Sequence, residues 1–87
     1  MATVFIPAQW RDLTDQQSRV EIDAPSLREL VDQLDRRFPG IHTRLCQGDA
    51  VRPSIQISVD GILTSRNLRT PLTSENEVHF LPAIGGG

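Results

Sequence analysis

Apolar and polar positions change rhythm several times along the chain. Thr3-Val4-Phe5-Ile6 is a β-branched and aromatic run stopped by Pro7, which predicts a first strand. A polar stretch from Asp12 to Gln17 gives way to Ser18-Arg19-Val20-Glu21-Ile22-Asp23. Val20 and Ile22 alternate there with polar residues, the period of a half-buried strand, and the two runs predict a hairpin with a long loop. Ile55, Ile57 and Val59 alternate with Ser54, Gln56, Ser58 and Asp60, so a third strand turns one face to a core. Asp60-Gly61 supplies a tight turn into Ile62-Leu63. Glu77 to Pro82 reads as the final strand, with Val78 and Phe80 on one face and His79 and Leu81 on the other.

Between the second and third strands the period lengthens. Leu27, Leu30, Val31, Leu34 and Phe38 follow i, i+3, i+4, i+7, i+11 spacing and form one helical stripe. Ser26 with Glu29 three residues on predicts a capping box, in which two orphan N–H groups are satisfied reciprocally. Pro39-Gly40 ends the helix, because proline cannot continue the hydrogen-bond ladder. A loop with a helical turn across Ile41 to Leu45 is expected next. The order β-β-α-β-β-β puts one main helix over one face of a mixed sheet of four to five strands. That is the β-grasp pattern, an α+β roll.

Eighty-seven residues rule out two independent cores, since a chain this short buries only about 60–65% of its unfolded surface. The reading is a β-grasp domain over residues 1–82 and a flexible C-terminal tail over 83–87. Cys46 is the single cysteine, which excludes a disulfide framework, a four-thiolate zinc site and a thiolate-held iron–sulfur cluster. No apolar run approaches the roughly 20 residues of a membrane span, and no basic-then-apolar leader opens the chain. A cytoplasmic location is the expectation. All nine cations are arginine, and they are interspersed with eleven carboxylates for a net charge of -2. Neither nucleic acid nor a membrane is an expected partner of such a pattern. The absence of lysine closes the chain to polymer building through its own side-chain amides.

Candidate catalytic groups are few. His42 and His79 fall on different elements, and no Cys-His signature surrounds Cys46, so all three read as passive. Asp32 with Asp35, and Glu75 with Glu77, read as a helix face and a turn. No metal site is expected. The terminus Leu81-Pro82-Ala83-Ile84-Gly85-Gly86-Gly87 stands apart, because half of the six glycines occupy its last three positions. Glycine there adds nothing to a core. It makes a slim thread, reaching roughly 15–20 Å beyond Pro82 at about 3.3 Å per residue, that fits a channel any Cβ would block.

The residues Val4-Phe5-Ile6-Pro7 with Trp10-Arg11, Leu30 to Leu34 with Phe38-Pro39-Gly40-Ile41, Ile57-Ser58-Val59-Asp60-Gly61, and Val78-His79-Phe80-Leu81-Pro82-Ala83-Ile84 leading into Gly86-Gly87 carry a resemblance over essentially the whole chain. It resembles the ubiquitin-like sulfur carriers of the ThiS/MoaD type. These serve molybdopterin, thiamine and cysteine synthesis, and the spacing looks most like the cysteine-synthesis branch, the CysO-like carriers. Leu81-Pro82-Ala83 departs from the hydrophobic-Pro-Pro tail commoner in the molybdopterin carriers.

The resemblance implies a carrier protein and not an enzyme. An E1-like adenylyltransferase of the MoeB/ThiF type would adenylate the Gly87 carboxylate, with Gly86 and the spacer Gly85 allowing close approach of the enzyme's walls. No cofactor would be bound; ATP would be consumed by the activating partner. A sulfurtransferase or sulfide would then supply the sulfur of a thiocarboxylate, and a downstream synthase, such as a cysteine-synthase-like enzyme, would receive it. With Val4 and Ile6 in the core beside Val78 and Phe80, Phe5 and Leu81 face outward. With Pro82, Ala83, Ile84 and Gly85 they form the expected partner-binding set, with Arg11, Arg66 or Arg69 at its rim. Two other readings stand beside this one: a ubiquitin-like modifier joined to lysines of targets, and an interaction domain with incidental glycines.

Overall fold

The computed structural model describes residues 1–48, 50–64, 68–73 and 75–82. Strand β1 (Ala2–Phe5) pairs antiparallel with β2 (Arg19–Ile22), Val4 lying opposite Val20. Between them a 3-10 turn over Ala8–Trp10 tucks the indole of Trp10 into the core, where its ring lies 5.9 Å from that of Phe80. The polar stretch that follows is not all loop surface. Thr14 is fully buried, and its hydroxyl donates to the Gln17 carbonyl at 2.9 Å, which offsets the cost of desolvating it.

Helix α1 (Leu27–Arg37) buries the stripe formed by Leu27, Leu30, Val31 and Leu34, with Phe38 at its C-terminal cap. The Ser26 hydroxyl accepts from the Glu29 N–H at 3.3 Å, one arm of the predicted capping box. The next two donors go elsewhere. Leu27 N–H donates to the Thr70 carbonyl at 3.0 Å and Arg28 N–H to the Leu68 carbonyl at 2.9 Å. The segment carrying those carbonyls thereby seals the helix start and delivers Leu68 and Leu72 to the core. At the other end Gly40 turns the chain at φ 109° into α2 (Ile41–Leu45). One oxygen of Asp35 accepts from the N–H groups of Gly40 and His42 at 3.2 and 3.1 Å, joining the two helices.

Two short strands, β3 (Cys46–Gln47) and β4 (Ala50–Val51), form a ribbon where the sequence pattern predicts a loop. Two-residue strands are too brief to show alternation. Strands β5 (Ile55–Val59), β6 (Ile62–Leu63) and β7 (Glu77–Pro82) complete a five-stranded sheet in the order β2-β1-β7-β5-β6. Only the β1–β7 pair in this sheet is parallel. Asp60 and Gly61, with φ 54° and 83°, make the two-residue turn between β5 and β6, both in the left-handed region that a type I′ turn requires. The inner face of the sheet carries Val4, Val20, Ile57, Val78 and Phe80 against α1. This is the predicted α+β β-grasp roll, with five strands and one main helix.

The two outer strands of the sheet are treated differently. Along β2, Gln33 of α1 donates to the Asp23 carbonyl at 2.9 Å and Arg37 to the Glu21 carbonyl at 3.5 Å. Those contacts occupy acceptors that would otherwise invite strand addition. At β6 the side chains are apolar and open: Ile62 is 73% and Leu63 57% exposed.

Candidate functional site

The last strand is the centre of the sheet and not a margin. Strand β7 lies between β1 and β5, and its final described residues, Leu81 and Pro82, pair with Gln56 and Ile55. Because β1 runs parallel to β7, the turn following β1 lies at the end of the sheet where β7 finishes. Strand β7 therefore ends at Pro82 braced on both sides, at the end of the sheet that carries the Pro7–Trp10 turn and the start of β5.

Period-two alternation sorts the residues around this exit. Val4, Val78 and Phe80 point inward, and Phe5, His79 and Leu81 share the outer face. Phe5 is half-buried because His79 covers it: the rings stack at 4.2 Å between centroids with 2° between their planes. Leu81 is 44% exposed, and Pro82 is half-buried. Cα partners define a cross-sheet row Leu63, Ser58, His79, Phe5 and Arg19. Phe5, His79 and Leu81 thus make one strip beside the end of β7, and Leu63 lies at its margin, beyond Ser58.

Leu63 was missing from the expected set. The signal was available, because a two-residue turn at Asp60-Gly61 puts Leu63 opposite Ser58 on the outer face. Among the residues expected at the rim, Arg11 follows directly on Trp10 at the tail-exit end. Arg69 lies between Leu68 and Thr70, whose carbonyls seal the start of α1. Arg66, Ala83, Ile84, Gly85, Gly86 and Gly87 lie outside the described residues.

The other titratable groups do not converge. His42 sits on α2, while Cys46 is 3% exposed in the core. Burial pushes the Cys46 thiol up from 9.0, opposed by the positive field of Arg28, reinforced by Asp32, and opposed again by Arg52. A buried thiol held in its neutral form is a weak nucleophile. Among the described residues, no three His, Cys, Asp or Glu side chains gather into a group able to hold a metal ion. No described helix is long and apolar enough to cross a membrane. An open polar groove of about 440 Å³ runs beside β2, lined by Thr3, Gln17, Arg19, Val20, Glu21 and Arg37, and does not include the strip.

What this geometry offers is a body whose central strand leads into the glycine-rich segment. The family model of that architecture matches residues 4–87, through the last glycine. The chain belongs to the ThiS family. It is a member of the ubiquitin-like sulfur-carrier group, whose proteins are small carriers. Solved structures match over nearly the whole chain. A chain of the Amycolatopsis orientalis BexX/CysO complex is 27% identical, with a TM-score of 0.94 and 100% of both chains covered. Mycobacterium tuberculosis CysO is 26% identical, with a TM-score of 0.88, covering 97% of this chain and 100% of that one. Both support the CysO-like branch. Small archaeal modifier protein 1 from Methanosarcina acetivorans shares the fold, at 20% identity and a TM-score of 0.83, covering 99% of this chain and 95% of that one. No curated protein matches the sequence.

Proposed function

We propose that this ThiS-family chain carries sulfur as a thiocarboxylate on Gly87. The Gly87 carboxyl group, terminal or freed by cleavage after it, is the reactive end. A carboxylate resists nucleophilic attack, so an E1-like enzyme first joins it to AMP from ATP, releasing pyrophosphate and leaving an acyl-adenylate. Sulfide then attacks the carbonyl carbon; a carbon–sulfur bond forms, the bond to AMP breaks, and the terminus is a thiocarboxylate. That group is a strong nucleophile near neutral pH, and the downstream synthase directs it onto a bound electrophile.

The observation that carries this reading is the family match running through Gly86 and Gly87. The geometry supports it: the central strand ends at Pro82, and the strip of Phe5, His79 and Leu81 lies on its outer face. The CysO likeness favours a cysteine-synthase-like recipient, with molybdopterin or thiazole synthesis as the other destinations. Incubation with the host's adenylating enzyme, ATP and sulfide tests the chemistry. The expected product has one oxygen replaced by sulfur.

The likeness to small archaeal modifier protein 1 supports a second reading, in which the activated Gly87 joins lysines of other proteins. The same activation assay with cell extract separates the two: amide adducts survive thiols and hydroxylamine, and a thiocarboxylate forms none.

A further inference from the structure

Arg11 carries a defect that the fold does not explain. The residue is half-buried overall, but its Nε is enclosed and has no hydrogen-bond partner among the described residues. Buried donors are almost always paired, and an unpaired one destabilises the state that contains it. The backbone at this position is fixed. Arg11 N–H donates to the Ala8 carbonyl at 3.4 Å, and its own carbonyl accepts from Thr14 and Gln16 N–H at 3.2 and 2.8 Å. The carboxylate next along the chain is already engaged, since Asp12 lies 3.7 Å from Arg44. Arg11 also directly follows Trp10, whose ring lies 5.9 Å from that of Phe80, two residues before the strand ends at Pro82.

We propose that Arg11 is a docking residue held in reserve at the tail exit, whose guanidinium takes a carboxylate on the enzyme that receives the tail. This rests on the carrier reading. A guanidinium fork matches an oxyanion of planar, two-oxygen geometry. The oxyanion is a side-chain carboxylate at the mouth of the partner's channel and not the phosphate of the acyl-adenylate. An extended tail places Gly87 roughly 16–18 Å beyond Pro82, out of reach of one side chain. On docking, the side chain turns out of its unpaired position, and the donor that is unsatisfied in the free carrier is satisfied only in the complex.

The test follows sulfur loading of the full chain by its host's adenylating enzyme, with ATP and sulfide, by intact mass. Thermal unfolding of the carrier alone is recorded in parallel. Arg11→Met keeps the apolar stem and removes the unpaired donor. It is expected to raise Tm by about 2–5 °C. It is also expected to raise KM for the carrier about ten- to fiftyfold, with kcat within about twofold. Arg11→Lys keeps the charge without the fork and is expected to recover part of the KM.

An unchanged KM in Arg11→Met overturns the assignment. So does a lowered Tm, which makes Arg11 a structural residue; a raised or level Tm with a raised KM sustains it. A wild-type chain that does not load under conditions where the enzyme loads its own carrier overturns the carrier reading, and the assignment with it. That failure is distinguishable, because wild type and variants are then inactive alike.

Discussion

Phe5 and His79 stack face to face across the parallel pair of β1 and β7, ring centroids 4.2 Å apart and planes 2° from parallel. The pairing is a direct consequence of register, since the two residues are Cα partners on the outer face. It makes a stacked aromatic pair three residues before the strand ends at Pro82. Leu81, two residues on, extends the same face with 44% of its surface exposed.

If that strip meets the activating enzyme, a charge at its centre harms docking and spares the fold. Leu81→Glu is expected to raise KM for the carrier by at least about tenfold, in the range of a central interface residue. Its unfolding free energy should stay within about 1 kcal/mol of wild type, because the position is open to water. Leu63→Glu, on the same face but farther from the tail, is expected to have a smaller effect. Unchanged loading kinetics in a folded Leu81→Glu chain would remove Leu81 from the interface.

Two glycines at positive φ separate backbone strain from crowding. Gly61, at φ 83°, has no heavy atom within 4 Å of an added Cβ, so Gly61→Ala is expected to cost about 1 kcal/mol through the backbone alone. Gly40, at φ 109°, would bring a Cβ to 3.4 Å from Leu13 Cδ2. Gly40→Ala adds that crowding and is expected to be the more destabilising of the two. Urea unfolding of both variants checks the order; equal costs would mean that Leu13 moves aside freely.

The Cys46 thiol gives the fold an alkaline dependence. Burial raises its pKa above 9.0, so the unfolded chain loses this proton first as pH rises. Stability from this group is fully present below about pH 9 and is lost as pH climbs toward the folded-state pKa. Denaturant unfolding at pH 8, 9 and 10 is expected to show a decline that is reduced in Cys46→Ala, which is itself less stable at every pH through the lost packing. A decline of the same size in both would assign it to other groups.

What the sequence made legible is what local periodicity encodes. β2, β5, β7 and α1 each repeat at 2.0 or 3.6 residues over several positions and formed where the pattern lay, while the β-branched and aromatic run at Thr3 to Ile6 formed β1 one residue earlier, at Ala2–Phe5. Trp10, Thr14, Leu68 and Leu72 did not announce their burial, because partners distant in sequence bury them: Trp10 sits near Phe80, and Leu68 and Leu72 are drawn in by the helix start. The capping pair shows the same limit. Ser26 behaved as its identity suggested, while the donors of Leu27 and Arg28 were met by carbonyls 43 and 40 residues onward. At the candidate site, Phe5 and Leu81 were readable from alternation. The stacking of His79 on Phe5 required the strand order, which alternation does not contain.

The most direct test of the carrier account is the intact mass of the chain after incubation with its host's adenylating enzyme, ATP and sulfide. The account predicts a shift equal to one oxygen exchanged for sulfur, absent without ATP and absent when Gly86 and Gly87 are deleted. No shift, with an enzyme shown to load another carrier, would contradict it.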